Sequence, residues 1–377
     1  MVTTVTTTLR AFLLPFARHY RAMGWQVDAA ARDIADAPDM QREFDACHAL
    51  PLSRSLSDVQ VLLDAPRAIR QLVADGGYDI VHVHTPVAAF MVRFALRGLP
   101  GRPRVVYTAH GFHFHRYGNP LSNMVFRFAE RIAAPWCDAL VTINREDFEA
   151  ARAGRFATRV EYMPGIGVDT TLWNPARATD EEVQAVRREL GLAADAVLFL
   201  MVAEFNPGKR HRDVLAALQQ VDDKNVHIAF AGDGALRAQM QERAKELGLG
   251  ERTHFLGFRR DIPALMRAAR AVLLPSEREG LPRCLLEALS MGVPIIGSDI
   301  RGISELAGEC GLLHAVGDSA GLAAALQQLA RHPEDALQMG RQGRARMVAD
   351  YDEKGIIGLH DRLYADLLGI PHAQTTA

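Results

Sequence analysis

What this chain of 377 residues lacks narrows its class before any motif is read. There is no run of about 18 apolar residues, so no membrane-spanning helix is expected. No sign of charge dominates: 43 Lys and Arg against 45 Asp and Glu leave a net charge of −2. Nucleic acid is therefore not an expected partner, since it would need a strongly basic face. Cysteine is scarce, and Cys47, Cys137, Cys284 and Cys310 show neither a C-x-x-C pair nor a metal-ligand spacing. With no signal-peptide pattern at the start, that usage points to a reducing cytoplasm. Low-complexity tracts are missing apart from a polar tail from about His372. What remains, 49% hydrophobic and 23% charged, suits two globular domains, each with its own core.

Strand-like and helix-like patterns alternate along the chain. In the first half, strands are expected at residues 2–8, 26–30, 80–84, 105–110, 139–143 and 160–163. In the second half they are expected at 197–203, 226–231, 254–256, 272–274, 294–297 and 311–314. A first helix is read from Leu9, Phe12, Leu13, Phe16, Tyr20 and Met23 on one face, stopped by Gly24. Two sets of alternating elements imply an α/β chain of two doubly wound domains, although a closed (β/α)8 barrel stays open on counting alone. The Gly- and Pro-rich stretch 164–175 is the natural linker, which places one domain at 1–170 and the other at 176–352.

The most informative stretch is SEREGLPRCLLEALSMGVPIIGSDIRG, residues 276–302. It reads as a loop leaving a buried strand, a helix to about Met291, and a second strand. Glu279 lies in the loop and Glu287 about one and a half turns into the helix. Open α/β sheets bind ligands outside the carboxyl ends of their strands. Glycine lets a ligand approach the backbone there, free N–H groups favour phosphate, and carboxylates accept from sugar or ribose hydroxyls. A ligand carrying both phosphates and hydroxyls fits, such as a nucleotide sugar. The plainer alternative is that both acids are solvated.

The E-x7-E spacing of Glu279 and Glu287, with Gly280, Leu281 and Pro282 between them and Gly292-Val293-Pro294 after, resembles the donor-site motif of glycosyltransferase family 4. The resemblance implies the GT-B fold, with two Rossmann-like domains facing each other across a cleft, and a retaining reaction. It implies that Glu279 holds hydroxyls of the transferred sugar and that Glu287 binds the ribose. It also implies that a last helix, about 353–370, crosses back onto the first domain.

In the first half, VHVHTPV and VVYTAHGFHFH carry several histidines near strand ends. They could form a zinc site, but no Asp or Glu lies within ten residues of His110 and no H-E-x-x-H occurs. His82 and His84 read more simply as buried, hydrogen-bonded strand residues. His110 ends its strand beside Gly111, and the resemblance implies that it contacts the transferred sugar. These motifs, with PGIGVD at 164–169, resemble the subgroup that builds exopolysaccharide, capsule and O-antigen chains on a polyprenyl-diphosphate acceptor. Residues 119–136 show Met124, Phe128 and Ile132 at helical spacing with Arg116, Arg127 and Arg131 nearby. A basic amphipathic helix can lie on an anionic lipid surface, though such a helix is more often packed on the core, and Glu130 dilutes the charge. Contact with the inner membrane face is therefore left open.

In the second half, the Pro-Gly turn before Lys209 and Arg210 could place cations on a diphosphate, or leave them solvated. Family members carry a lysine at the position of Lys209. Many also carry an arginine five or six residues earlier, where this chain has Ala203 and Glu204, so Arg210 is the candidate second cation. The resemblance further assigns Gly232 and Gly234 to a glycine loop near the nucleotide, Phe258 to the segment flanking the base, and Gly302 to the loop after the next strand. The Asp-x-Asp pair Asp350 and Asp352 lies away from any strand, so no required metal and no cofactor is expected. The resulting expectation is a retaining transferase moving a sugar from a nucleotide sugar, with UDP favoured, to a glycan or lipid-linked acceptor. Lys209, backbone N–H groups near Gly280 and the helix dipole would steady the leaving diphosphate. A sugar-nucleotide epimerase, a non-catalytic sugar-nucleotide-binding protein and a zinc hydrolase remain as rivals.

Overall fold

The computed structural model describes residues 1–53, 59–116 and 118–372, with residues 59–62 described by backbone alone. Most of the expected polar tail lies outside the described residues. The chain divides into two compact units, Met1–Ile166 with Lys354–Ala377, and Gly167–Glu353. Every strand pairing among the described residues is parallel, as alternating βα units require.

In the first unit the strands are β1 (Ala29–Ala31), β2 (Cys47–Ala49), β3 (Ile80–His84), β4 (Arg104–Ala109), β5 (Ala139–Thr142) and β6 (Val160–Tyr162). They pair as β1-β2 and as β3-β4-β5-β6. The expected first strand at 2–8 is reduced to single-residue bridges from Val2 to Ala30 and to Val83, which join the two sets. The threonines that follow find partners elsewhere. Thr3 Oγ1 donates to Val5 O, and Asp33 Oδ1 accepts from both the backbone N and the hydroxyl of Thr6. One bond is local and the other comes from 27 residues along the chain; both occupy groups that a sheet ladder would use, and a helix starts at Thr6 instead.

The single first helix read from the sequence is two, Thr6–Phe12 and Leu14–Ala22, broken at Leu13 with Pro15 opening the second. β2 had no counterpart in the sequence reading. The helix Glu353–Leu368 packs Ile356, Ile357, Leu363 and Tyr364 against Val106, Ala139 and Val141 of the first unit's sheet.

The second unit carries β7 (Val197–Val202), β8 (Val226–Ala231), β9 (Thr253–Gly257), β10 (Ala271–Leu274), β11 (Ile295–Ser298) and β12 (Gly311–His314), in the order β12-β11-β10-β7-β8-β9. Successive residues of β7 point to opposite faces: Leu198 and Leu200 into one core, Phe199 and Met201 into the other. Burial on both faces explains why these strands read as continuous apolar runs. The order turns back at β7 and β10, whose carboxyl ends are where such a sheet exposes a crevice.

Candidate functional site

The loops leaving β7 and β10 meet. Asn206 Oδ1 accepts from Lys209 N at 3.2 Å and sets a short turn, Pro207–Lys209, after which Arg210 takes a left-handed backbone at φ +56. Glu277 N donates to Gly208 O at 2.9 Å, tying the two loops together. The Lys209 ammonium then lies 2.5 Å from Glu279 Oε1, with the two side chains 26% and 12% exposed. Burial alone would pull Lys209 down, but the Glu279 carboxylate outweighs it and its pKa is raised. A partly exposed cation beside an acceptor-rich carboxylate can serve both the phosphates and the hydroxyls of one ligand.

Glu287 sits in the helix Arg283–Ser290, which starts directly after Pro282. Desolvation pushes its carboxyl up to about 7 against the opposing charge of Arg283, 3.3 Å away one turn earlier. Cys284, on the same helix, is pushed to about 12 by burial and stays a neutral thiol. Leu281 packs on the core from the loop.

Close backbone approach accounts for three of the glycines singled out. A Cβ at Gly302 would lie 2.1 Å from the carbonyl oxygen of Gly280, so the loops after β10 and β11 touch. At Gly232 it would lie 2.0 Å from Ala203 O, and at Gly234 2.6 Å from Phe205 O, which presses the loop after β8 onto that after β7.

Arg210, expected as the second diphosphate cation, follows the same turn. Its guanidinium is 13% exposed and bonds both Asp213 and Glu277, so two carboxylates already claim its charge. Phe258 stands 78% exposed in the loop after β9. Arg301, which the sequence reading passed over, is buried and donates from Nε to Glu279 O at 3.3 Å, bracing the loop that carries Glu279. Its position beside Gly302 was the only available sign.

In the first unit His110 follows β4. Its ring stacks on Phe12 at 5.4 Å between centroids, and its Nε2 lies 3.0 Å from His84 Nδ1. Burial, then the charge of His360, pull its pKa down to about 4. His82 is a hydrogen-bonded strand residue, shared between Thr108 and Tyr364. Among the described residues no three His, Cys, Asp or Glu side chains are grouped to hold a metal ion.

The helix Pro120–Ala133 departs from expectation in its charge. Glu130 does not dilute the basic face, because it points inward and pairs with Arg93 at 2.8 Å, the two side chains 8% and 0% exposed. The apolar face points outward instead of packing on the core: Leu121, Met124, Val125, Phe128 and Ile132 are all exposed. Among the described residues no helix is long and apolar enough to cross a membrane.

Comparison with known proteins places these features in a family. The model of glycosyltransferase family 4 matches residues 11–172, and that of glycosyl transferases group 1 matches residues 182–346. EpsD of Bacillus subtilis, which is named as a glycosyltransferase, is 34% identical over 348 residues, covering 90% of this chain and 89% of that one. The chain belongs to glycosyltransferase family 4. It is a transferase enzyme.

A galactosyltransferase of Escherichia coli, named as acting from UDP-Gal on GlcNAc-diphosphoundecaprenol, is 30% identical over 242 residues, 62% of this chain and 61% of its own. Among solved structures, Anabaena HepE in complex with UDP superposes with a TM-score of 0.78 at 18% identity, over 97% of this chain and 98% of its own. Sucrose-phosphate synthase of Thermosynechococcus elongatus reaches 0.82 at 21% identity, over 98% of each chain. The family 4 chain therefore has the GT-B fold.

Proposed function

We propose that this family 4 enzyme is a retaining transferase that moves a sugar from a UDP-sugar to a polyprenyl-diphosphate-linked glycan in surface polysaccharide synthesis. The observation that carries the reading is the Lys209–Glu279 contact, with the desolvated Glu287 following in the adjoining helix. Lys209 neutralises the departing diphosphate, Glu279 accepts from sugar hydroxyls, and Glu287 accepts from the ribose. Charge stabilisation in a partly desolvated site is the main lever such a transfer needs. A phosphate oxygen of the leaving group takes the acceptor's proton as the new glycosidic bond forms on the face the diphosphate leaves. The E. coli relative's lipid-linked acceptor and the UDP in the HepE complex support these choices of acceptor and nucleotide.

The exposed apolar face of the helix Pro120–Ala133, with Arg116, Arg127 and Arg131 nearby, suits the place where a lipid-linked acceptor must be met. Its apolar side chains enter the headgroup boundary and its cations meet anionic lipid.

The deciding experiment offers a panel of nucleotide sugars with a synthetic polyprenyl-diphosphate glycan and reads product and anomeric configuration by NMR. Transfer with retained configuration is expected from a UDP-sugar. Epimerisation without acceptor, binding of UDP with no transfer to any acceptor, or an inverted product would each displace this reading.

A further inference from the structure

Strand β3 delivers a histidine that the proposed reaction does not use. His82 and His84 are both buried, but only His82 has a partner for each ring nitrogen. His84 Nδ1 lies 3.0 Å from His110 Nε2, while His84 Nε2 is buried without a hydrogen-bond partner among the described residues. The next residue, Thr85, holds φ +72 and ψ 136, a conformation rare for a β-branched side chain. Thr4 Oγ1, 2.7 Å from Thr85 Oγ1, helps to hold it there. Backbone strain of this kind persists where the surroundings over-determine it, and it concentrates at functional sites. Here it sets how β3 ends directly behind His84.

Burial keeps both rings neutral, His84 well below the usual histidine range and His110 at about 4. A neutral imidazole has one N–H and one lone pair, so a single proton lies between Nδ1 of His84 and Nε2 of His110. If His110 were the donor, the proton of His84 would sit on its Nε2 as a buried N–H with no acceptor. If His84 is the donor, its Nε2 is only an unused lone pair. Orphaned buried N–H groups are the rarer defect, so the second arrangement is favoured.

We propose that His84 is a positioning residue: it donates to Nε2 of His110 and so holds His110 as the Nδ1–H tautomer, a neutral hydrogen-bond donor to a substrate oxygen. The proposal rests on the substrate contact that the family resemblance implies for His110. It also excludes His110 as a general base, because its lone pair is already taken, which agrees with a leaving group that accepts the proton itself.

The test labels the full-length protein with 15N-histidine and reads the His110 tautomer from two-bond 1H–15N couplings. Protonation on Nδ1 is expected in the wild type. It is also expected in His84→Asn, whose amide N–H can replace that of the ring, and the preference is lost in His84→Phe. In turnover assays His84→Phe lowers kcat roughly ten- to a hundred-fold with donor KM little changed, and His84→Asn recovers part of the loss. His110 protonated on Nε2 in the wild type overturns the proposal, as does an unchanged tautomer in folded His84→Phe. If His84→Phe does not fold, the wild-type and His84→Asn spectra still decide. The expected tautomer together with full transfer by His110→Ala would instead overturn the substrate contact implied for His110, leaving the histidine pairing in place.

Discussion

Lys209 Nζ and Glu279 Oε1 meet at 2.5 Å across 70 residues of sequence, joining the loops that leave two neighbouring strands. Neither side chain is fully exposed, so each limits where the other can go before a ligand arrives. On the proposed reading, a diphosphate would meet an ammonium already held in place, and a sugar a carboxylate already aimed.

Removing either partner should be costly for turnover and mild for folding. Lys209→Ala and Glu279→Ala are each expected to cut transfer by roughly ten- to a thousand-fold, the usual range for loss of a transition-state contact. Initial rates with saturating acceptor, beside melting curves, check this. Wild-type rates in both variants would remove the assignment.

Glu287 supplies a pH dependence with a definite sign. Its carboxyl is raised to about 7 in the folded chain by desolvation, above its ordinary value of 4.5. The folded state then binds more protons than the unfolded one between those values, so this group's contribution to stability is full below about 4.5 and is lost as pH rises through about 7. Glu287→Gln should flatten the melting temperature over that window. On the proposed reading the Glu287 carboxylate is the form that accepts from the ribose hydroxyls, so UDP affinity, compared between wild type and Glu287→Gln to cancel the titration of the phosphate, should rise with pH through about 7 only in the wild type.

Arg93 and Glu130 form a buried ion pair, with Arg93 also lying over the Tyr107 ring at 4.7 Å. Glu130→Ala strands the guanidinium and is expected to cost about 3 kcal/mol, visible as a lowered melting temperature. Replacing both, Arg93→Met with Glu130→Leu, should restore much of the loss. An additive double mutant would show that the pairing contributes nothing.

The outward face of the helix Pro120–Ala133 predicts lipid binding. Full-length protein should sediment with vesicles containing phosphatidylglycerol and not with pure phosphatidylcholine. Higher salt should weaken that binding as the arginines are screened. Phe128→Glu should abolish it while leaving the melting temperature unchanged, since Phe128 is 65% exposed. Self-association that persists without lipid and disappears in Phe128→Glu would mark the face as a protein interface instead.

The sequence by itself determined the fold class and the spacing of Glu279 and Glu287. Those depend on local patterns: apolar runs buried on both faces of a parallel sheet, and two acids a helix turn and a loop apart. Val226–Ala231 and Gly311–His314 match their expected strand bounds for that reason. Only the tertiary structure decided the rest. It shortened the expected first strand to Val2, because Asp33, far along the chain, captures Thr6. It paired Arg210 with two acids, turned Glu130 inward onto Arg93, and set His84 against His110. Each of those outcomes depends on a charged or polar side chain meeting a partner from a distant segment, and one chain's residue spacing carries no record of such meetings.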